Sequence, residues 1–387
     1  MTTFLSQWKD LKVILSHDWL TGMRGGERIL ELLCRGFPEA PVYTLIHKPS
    51  AVSDTINHHH VTTSWLQHIP GIMKNYRLFL PLFPSAIEAV NTVEADLLIS
   101  TSHCVAKGLK PCRNTRHLCY CFTPMRYAWL FYDEYFGKNP LKKMALSPIL
   151  RKLRAWDREA SKRVDLFVTI SRHVQKRIRD FYGREADVVY PFVNRSYWTP
   201  DPARCPGMIR GRDMGTYDLI VSALVPYKRI DLAVQAYARL GYPLIIVGAG
   251  PELHRLRKLA DQAHATREKN IQFIGWASDE HIRELYRHCR ALVFTGEEDF
   301  GIVPLEAQAC GRPVVAYGRG GALETVTEGI TGVFFYEQTQ QALTEAVERC
   351  ASLSWDPAAI RINTEQFSEE QFIKGMTKSI NKCMNRR

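Results

Sequence analysis

The chain has 387 residues, of which 45% are hydrophobic and 24% are charged. Its length exceeds one ordinary core and its composition excludes a mainly disordered protein, so we expect two globular domains. No apolar run approaches the ~18 residues of a membrane span, and the first ten residues lack the apolar core of a signal peptide. The ten cysteines show neither a CxxC pair nor zinc-ligand spacing, which favours a reducing, cytoplasmic location. Cys119 and Cys121 share one face of a predicted strand and are expected to be buried thiols.

The net charge of +11 lies entirely in the first half of the sequence. Residues 1–195 hold 28 Lys and Arg against 17 Asp and Glu, whereas residues 196–387 hold 23 of each kind. This asymmetry predicts an anionic partner, although a charge that serves solubility alone is an open alternative. No nucleic-acid motif is present, so phosphates or lipid headgroups are preferred over nucleic acid.

Short apolar strands alternate with helical stretches along both halves of the chain. Their apolar residues are consecutive, which is typical of parallel strands buried on both faces. The pattern predicts two doubly wound α/β domains, at 1–195 and 196–365, joined within the proline-rich stretch 191–206 and followed by a helical segment at 366–387. The predicted strands are residues 12–16, 96–100, 117–121 and 165–170, then 217–222, 243–247, 271–274, 291–294 and 313–317.

Glycines follow the first predicted strand and one strand of the second half, where ligands bind in such folds. Gly25 and Gly26 stand at the start of a predicted helix, whose bare N–H groups suit a phosphate, although a tight turn would use the same pair. Gly248 and Gly250 resemble half of a dinucleotide fingerprint. The third glycine is missing, so a dehydrogenase is not favoured.

The most informative segment is EEDFGIVPLEAQACGRPVV at 297–315, which follows the predicted strand 291–294. Gly301 frees the backbone between Glu298 and Glu306, and Pro304 suits the start of a helix that carries Glu306 on its first turn. Two carboxylates and the free N–H groups of such a loop can hold the hydroxyls or phosphate of a sugar nucleotide. A helix-capping Glu306 with a solvated Glu298 is the structural alternative.

Segment 298–316 resembles the E-x7-E signature of family-4 retaining glycosyltransferases, whose GT-B fold has two Rossmann-like domains facing across a cleft. Segment 222–232 (SALVPYKRIDL) is similar to the donor-phosphate segment of that family. GGERILELLCRGFPEAPVYTL, STSHCVAKGL and CYCFTPMRYAW look like its mannosyltransferase-rich branch of O-antigen and exopolysaccharide assembly. The resemblance covers residues 13–335 and implies transfer of a hexose, with GDP-mannose as donor, to a cell-envelope glycan precursor.

The resemblance implies a role for each matching residue. Glu298 would hold the donor hexose, Glu306 would bind the ribose, and Lys228 would neutralise the donor diphosphate with Arg229 beside it. Sugar hydroxyls or phosphate would lie on the amides of Phe300, Gly301, Ile302 and Val303. The family implies retention of configuration without a metal cofactor, with the leaving phosphate helping to take the acceptor proton.

The remaining residues of the implied site come from the glycine loops and from one histidine. Gly25 and Gly26 would frame the site near the diphosphate and the acceptor, and the nucleotide base would stack near Gly248 and Gly250. His103 would contact the donor sugar, although a lone histidine after a strand is more often structural.

Two positions depart from the pattern of the family. Many relatives have arginine where this chain has Ala223, so Arg229 or another cation would supply the second charge. Relatives often have histidine where this chain has Phe122, and this leaves His103 as the better histidine candidate.

The predicted partners are a nucleotide-sugar donor, a lipid-diphosphate-linked glycan or polysaccharide acceptor, and the anionic inner face of the plasma membrane. Residues 145–164 predict an amphipathic helix whose basic face would contact that membrane, and a packed helix with a solvated basic side is the alternative. The segment 366–387 predicts a helix that crosses back to the first domain. A transferase using a UDP- or dTDP-sugar, a GT-B epimerase or hydrolase, and a non-catalytic sugar-nucleotide-binding protein are the other functions left open.

Overall fold

The computed structural model describes residues 8, 10–130, 140–201, 216–263 and 270–385. The chain divides into two compact units: the first contains the residues up to Tyr190 and those from Phe372, and the second is Pro191–Gln371. This division falls at the start of the predicted join, of which Pro202 and Pro206 lie outside the described residues.

The first unit is built on a parallel sheet of seven strands. The strands are β1 (Val13–His17), β2 (Val42–Thr44), β3 (Val61–Thr63), β4 (Leu97–Ser102), β5 (Arg116–Cys121), β6 (Leu166–Thr169) and β7 (Ala186–Val188). Their order is β3-β2-β1-β4-β5-β6-β7. Every residue of β1, β2 and β4 is buried, as strands covered on both faces require. Cys119 and Cys121 are buried free thiols, as predicted.

The helices of the first unit follow its strands along the chain. They are α1 (Gly25–Gly36), α2 (Asp54–Asn57), α3 (Ile72–Asn75), α4 (Phe83–Glu88), α5 (Arg126–Trp129), α6 (Pro140–Lys162) and α7 (Arg172–Tyr182), with 3₁₀ turns at Pro49–Ala51, Trp65–His68, Tyr76–Leu82 and Ala106–Gly108. None of the helices in the described part of the chain is long and apolar enough to cross a membrane.

The second unit is built on a parallel sheet of six strands. The strands are β8 (Asp218–Val221), β9 (Leu244–Val247), β10 (Ile271–Gly275), β11 (Leu292–Phe294), β12 (Val314–Tyr317) and β13 (Gly332–Phe335), in the order β10-β9-β8-β11-β12-β13. The helices are α8 (Ile230–Leu240), α9 (Leu253–Ala263), α10 (Asp279–His288), α11 (Ile302–Ala309), α12 (Ala322–Thr325), α13 (Gln340–Ser352) and α14 (Pro357–Asn363), with 3₁₀ turns at Pro226–Lys228 and Thr364–Phe367. The predicted fold class, two doubly wound parallel-sheet domains, is confirmed.

The last helix, α15 (Glu369–Met384), packs mainly within the first unit. The ring of Phe372 lies edge-on to that of Tyr120, with 5.6 Å between the centroids. Nζ of Lys382 pairs with the carboxylate of Asp187 in β7 at 2.7 Å. These contacts attach the end of the described chain to the first sheet.

Helix α6 has the two faces that its sequence predicts, but its basic side is partly packed. Leu153 and Ala160 are buried. Arg154 donates from Nε to the carbonyl of Ala128 at 2.7 Å, and its guanidinium lies 5.6 Å from the ring centre of Trp129. Part of the predicted membrane-facing charge is therefore held against the protein itself.

Candidate functional site

Lys228 and Glu298 meet at adjacent carboxyl ends of the second sheet. The strand order reverses between β8 and β11, and ligands bind beyond such a reversal in open parallel sheets. Lys228 ends the 3₁₀ turn that follows β8, and Glu298 lies in the loop after β11. Their side chains form an ion pair and are only 15% and 18% exposed. The fold thus brings together the two charged residues that the sequence predicted for the diphosphate and the hexose.

Backbone packing fixes the distance between these two loops. Thr295, the first residue after β11, donates its hydroxyl to the carbonyl of Lys228 at 2.6 Å. A Cβ atom on Gly296 would lie 2.9 Å from Cα of Lys228, so this approach requires glycine. The pairing of Lys228 with Glu298 is therefore built into the backbone.

Arg229, the second predicted cation, is held by its own neighbours. Its backbone is left-handed, with a φ of 51°. Its Nε contacts Asp231 at 3.2 Å, and its Nη1 donates to Gln338 at 3.3 Å. Lys228 rather than Arg229 is thus the cation that pairs with Glu298.

The loop after Glu298 ends in the uncapped N-terminus of α11. Gly301 occupies the N-cap with a φ of 102°, a left-handed conformation that favours glycine. Because glycine supplies no capping side chain, the amides of Ile302 and Val303 are suited to an external acceptor. Phe300 is buried with its ring edge-on to Phe367, at 5.7 Å between centroids, and this contact anchors the loop.

Glu306 lies in the second turn of α11, and not in the first turn where the sequence predicts it. With Gly301 as the N-cap, Glu306 is the fifth helical residue, so it cannot cap the first turn. Its Oε2 accepts a hydrogen bond from the hydroxyl of the buried Tyr286 at 3.1 Å. Burial, and then the nearby Glu306 carboxylate, raise the pKa of Tyr286 well above its ordinary value, so the phenol remains a neutral donor.

The predicted base-binding glycines are required by contact between two loops. A Cβ on Gly248, whose φ is 138°, would lie 1.8 Å from the carbonyl oxygen of Ser222. A Cβ on Gly250 would lie 2.2 Å from the carbonyl oxygen of Leu224. Both glycines thus let the loop after β9 approach the loop after β8, a packing role that explains them without a ligand.

The sequence reasoning missed Trp276, which stands next to this glycine loop. Trp276 follows β10 and is 81% exposed. The carbonyl of the preceding residue, Gly275, accepts a hydrogen bond from the amide of Gly248 at 2.7 Å. A large aromatic ring is therefore available at the carboxyl edge of the sheet where the nucleotide base was predicted.

Asp18 organises the corresponding edge of the first sheet, where the order reverses between β1 and β4. Its buried carboxylate accepts hydrogen bonds from four consecutive amides, of His103 (2.6 Å), Cys104 (3.0 Å), Val105 (2.6 Å) and Ala106 (2.7 Å). Burial by itself would raise the pKa of Asp18, but the charge and hydrogen bond of His103 outweigh it and lower the pKa. The sequence reasoning missed Asp18, although its place directly after a buried strand was a usable signal.

The ring of His103 is oriented by the same carboxylate. Its Nδ1 lies 2.8 Å from Oδ2 of Asp18, and since the carboxylate can only accept, Nδ1 carries the hydrogen. The ring lies edge-on to Trp19, at 4.5 Å between centroids, and 6.5 Å from the ring of Phe122. Its side chain is 30% exposed. With Nδ1 engaged by Asp18, Nε2 is the ring nitrogen left for a ligand hydroxyl, and it accepts a hydrogen bond when the ring is neutral.

A buried histidine, His17, lies beneath the glycine pair of α1. Thr101 donates its hydroxyl to a backbone carbonyl, so its oxygen accepts from Nδ1 of His17 at 2.7 Å. Nε2 of His17 faces the buried carboxylate of Glu27 at 3.8 Å. A Cβ on Gly26 would lie 3.5 Å from this ring, whereas one on Gly25 would meet nothing within 4 Å. Gly26 thus permits close packing here, and Gly25 stays open to a ligand.

Within the described ranges, no group of three or more His, Cys, Asp or Glu side chains is arranged to hold a metal ion. Metal-independent catalysis remains a prediction.

Residues 212–367 match the family described as Glycosyl transferases group 1. A curated relative, the GDP-mannose-dependent alpha-(1-6)-phosphatidylinositol monomannoside mannosyltransferase of Mycobacterium tuberculosis, is 31% identical over 202 residues. That match covers 47% of this chain and 51% of the relative, so the chain spans about half the length of the curated relative it matches.

Solved structures match over nearly the whole chain. The lipopolysaccharide outer core galactosyltransferase WaaB superimposes with a TM-score of 0.66 at 15% identity, covering 96% of this chain and 99% of WaaB. HepE of Anabaena, solved in complex with UDP and glucose, has a TM-score of 0.68 at 18% identity over 96% of this chain and 99% of its own. Residues 212–367 thus carry the signature of group 1 glycosyltransferases, on a chain that has the GT-B fold of such enzymes.

Proposed function

We propose that this protein is a retaining, metal-independent hexosyltransferase that moves mannose from GDP-mannose to a lipid-linked or polysaccharide acceptor in cell-envelope glycan assembly. The observation that carries the proposal is the Lys228–Glu298 pair at the reversal of the second sheet. The segment that contains both residues matches group 1 glycosyltransferases, and a GDP-mannose-dependent relative is 31% identical to part of the chain.

The ion pair suits a donor that carries both an anion and hydroxyl groups. On binding, the Lys228 ammonium would exchange its carboxylate partner for the donor diphosphate, and Glu298 would accept hydrogen bonds from the hexose hydroxyls. The pair thus keeps two mostly buried charges compensated before the donor arrives. Glu306, which the Tyr286 hydroxyl orients, would accept from the ribose.

The chemistry requires stabilisation of the departing diphosphate. Breaking the anomeric bond places negative charge on that group and positive character on the sugar. Lys228 and the amides at the N-terminus of α11 would stabilise this charge without a metal. The leaving phosphate would assist in removing the acceptor proton on the face from which it departs, which retains the anomeric configuration. No protein base is assigned.

The first unit would contribute sugar contact and acceptor binding. His103, with its hydrogen fixed on Nδ1, would accept a hydrogen bond from a sugar hydroxyl at Nε2. Gly25 leaves backbone open at the start of α1 for the diphosphate or the acceptor. The excess of basic residues in 1–195 favours a phosphorylated lipid carrier and a peripheral position on the inner face of the plasma membrane.

The donor is tested by comparing GDP-mannose, GDP-fucose, UDP-glucose, UDP-N-acetylglucosamine and dTDP-rhamnose in donor hydrolysis and thermal shift, because a ligand bound only by the folded state raises its stability. We expect GDP-mannose to give the largest shift and rate. An epimeric hexose should lose roughly ten- to hundredfold in kcat/KM, since one unmatched buried polar group costs about 1–3 kcal/mol. A clear preference for a uridine or thymidine donor would remove the mannosyl assignment and keep the transferase. Products of hydrolysis or epimerisation alone, with every acceptor tried, would contradict the transferase.

A further inference from the structure

One short stretch of the first unit exposes large apolar side chains to solvent. Trp65 is 42% exposed, Leu78 is 79% exposed and Leu82 is 41% exposed. They are three of the five exposed large hydrophobic side chains of the first unit's described residues, with Val93 and Met144. We name residues 65–82, which run from one 3₁₀ turn through α3 to the end of another, the 65–82 surface.

The inward side of this stretch is firmly packed. Leu66, Tyr76 and Leu80 are buried in the core of the first unit. Trp19 contacts Tyr76 at 5.2 Å between ring centroids and Phe83, just beyond the stretch, at 6.0 Å. The buried side chains therefore hold this stretch in place, and the exposure of its leucines does not reflect a poorly packed segment.

The charge of the stretch is of one sign. Residues 55–87 contain no Asp or Glu, and Asp54 and Glu88 flank this range. Lys74 and Arg77 are exposed on the 65–82 surface, between Trp65 and the leucines in sequence. Surfaces that bind in the headgroup region of an anionic bilayer typically combine apolar side chains with neighbouring cations and lack carboxylates.

The basic face predicted on α6 lacks this combination. Arg158 lies over the ring of Trp129, at 4.8 Å from its centroid, and donates to the carbonyl of Phe181. Lys162 pairs with Glu159 at 2.7 Å. Leu153 is buried, and Trp156 is partly buried and donates from Nε1 to Glu88 at 2.9 Å. Residues 151–162, which carry the basic face, thus offer charge without an exposed large apolar side chain, and Met144, which is 72% exposed, precedes this face in α6.

We propose that the 65–82 surface is the part of this protein that docks on an anionic lipid bilayer, with Leu78 and Leu82 entering the headgroup region and Lys74 and Arg77 contacting lipid phosphates. This inference rests on the proposed function, in which the acceptor is linked to a lipid. It identifies the surface with which the protein would bind the membrane that contains this acceptor. Docking would cover the apolar side chains of this surface with lipid and so remove them from water, which is favourable.

The test compares three double variants of the full chain in co-sedimentation with phosphatidylglycerol-containing vesicles. Leu78→Ser with Leu82→Ser removes the apolar contact without changing charge. Lys74→Glu with Arg77→Glu reverses one lysine and one arginine on the surface. The matched control, Arg151→Glu with Lys152→Glu, reverses the same two residue types at exposed positions of α6.

We expect the leucine variant to lose at least about tenfold in apparent vesicle affinity, since two leucines no longer leave water. The Lys74 and Arg77 variant should lose affinity by a similar factor, and the control should stay within about twofold of the wild-type protein. Added salt should weaken wild-type binding, because surface charges are screened over about 10 Å at 0.1 M.

Three results would overturn the proposal. The first is a loss of vesicle affinity in the α6 control that equals the loss in the Lys74 and Arg77 variant, with no loss in the leucine variant. This result would show diffuse electrostatic attraction. The second is no binding to anionic vesicles, and the third is a protein dimer that the leucine substitutions dissociate. Donor hydrolysis in solution, measured on every variant, should be unchanged, because these residues lie outside the donor site. Its absence in the wild type would count against the proposed function and leave the docking result intact.

Discussion

Asp18 accepts a hydrogen bond from Nδ1 of His103 at 2.8 Å while it binds the backbone amide of the same residue at 2.6 Å. One carboxylate therefore holds both the loop after β4 and the ring that this loop carries. Loss of the carboxylate removes both effects, whereas loss of the imidazole removes only the ring. The two substitutions should accordingly have different consequences for stability and for activity.

Asp18→Asn should destabilise the protein by about 3 kcal/mol, because an amide replaces a buried anion and its NH₂ group faces backbone donors. The folded pKa of Asp18 is lowered from its ordinary 3.8, so its stabilising contribution is complete above that value and is lost as the pH falls. Urea unfolding should therefore show a constant difference between the two proteins at about pH 6–8 and a smaller one below about pH 4. A difference that grew in acid would contradict the assignment.

His103→Ala should lower kcat/KM by roughly ten- to hundredfold, the cost of one hydrogen bond to a sugar hydroxyl. The Asp18 carboxylate keeps its amide partners in this variant, so the unfolding midpoint should change little. His103→Gln, which retains an acceptor, should recover part of the rate. Wild-type kinetics for His103→Ala would leave the histidine with a structural role only.

Glu298→Gln and Glu306→Gln should affect different kinetic parameters, kcat and KM respectively. Glu298 pairs with Lys228 and, in the proposed site, would contact the reacting hexose, so its substitution should mainly lower kcat. Glu306, which accepts a hydrogen bond from Tyr286, would make a ribose contact that is equal in the ground and transition states, so its substitution should mainly raise KM. Steady-state kinetics in GDP-mannose decide the point, and near-wild-type values for both variants would remove the site assignment.

Catalysis should continue without a divalent ion. Activity in excess chelator is expected within about twofold of the untreated enzyme, a change of only about 0.4 kcal/mol in the barrier. The physical reason is that, in the proposed mechanism, Lys228 and the amides of α11 would take the place of a metal at the departing diphosphate. A loss of rate that magnesium or manganese restores would refute this mechanism.

Trp276→Ala should weaken nucleotide binding by about 1–3 kcal/mol, the usual value of one base stacked on an aromatic side chain. The ring is 81% exposed, so its removal should leave the unfolding midpoint unchanged. Calorimetric titration with GDP measures the effect, and Trp276→Phe, which keeps an aromatic face, is the matched control. Equal affinities for all three proteins would place the base elsewhere.

The sequence alone determined the fold class, and it nominated the donor-site residues of the second unit, which stay a prediction. Nine of the strands are runs of consecutive apolar residues, and this pattern is local, so it was readable to within a residue or two, as at β1 (Val13–His17) and β11 (Leu292–Phe294). The signature around Glu298 and Glu306 is likewise contiguous. Lys228 was found because its segment resembles a family motif, not because any spacing placed it beside Glu298.

The tertiary structure decided what depends on pairing between distant residues. The sequence did not predict strands β2, β3, β7 and β13, which are defined by their pairing with the neighbouring strands β1, β2, β6 and β12. Asp18 and His103 lie far apart in the chain and meet because β1 and β4 are adjacent. The solvent exposure of Trp276 and Leu78 could not be predicted from the sequence either. A sequence gives the apolar character of a side chain, but only the packed fold determines whether another element covers it.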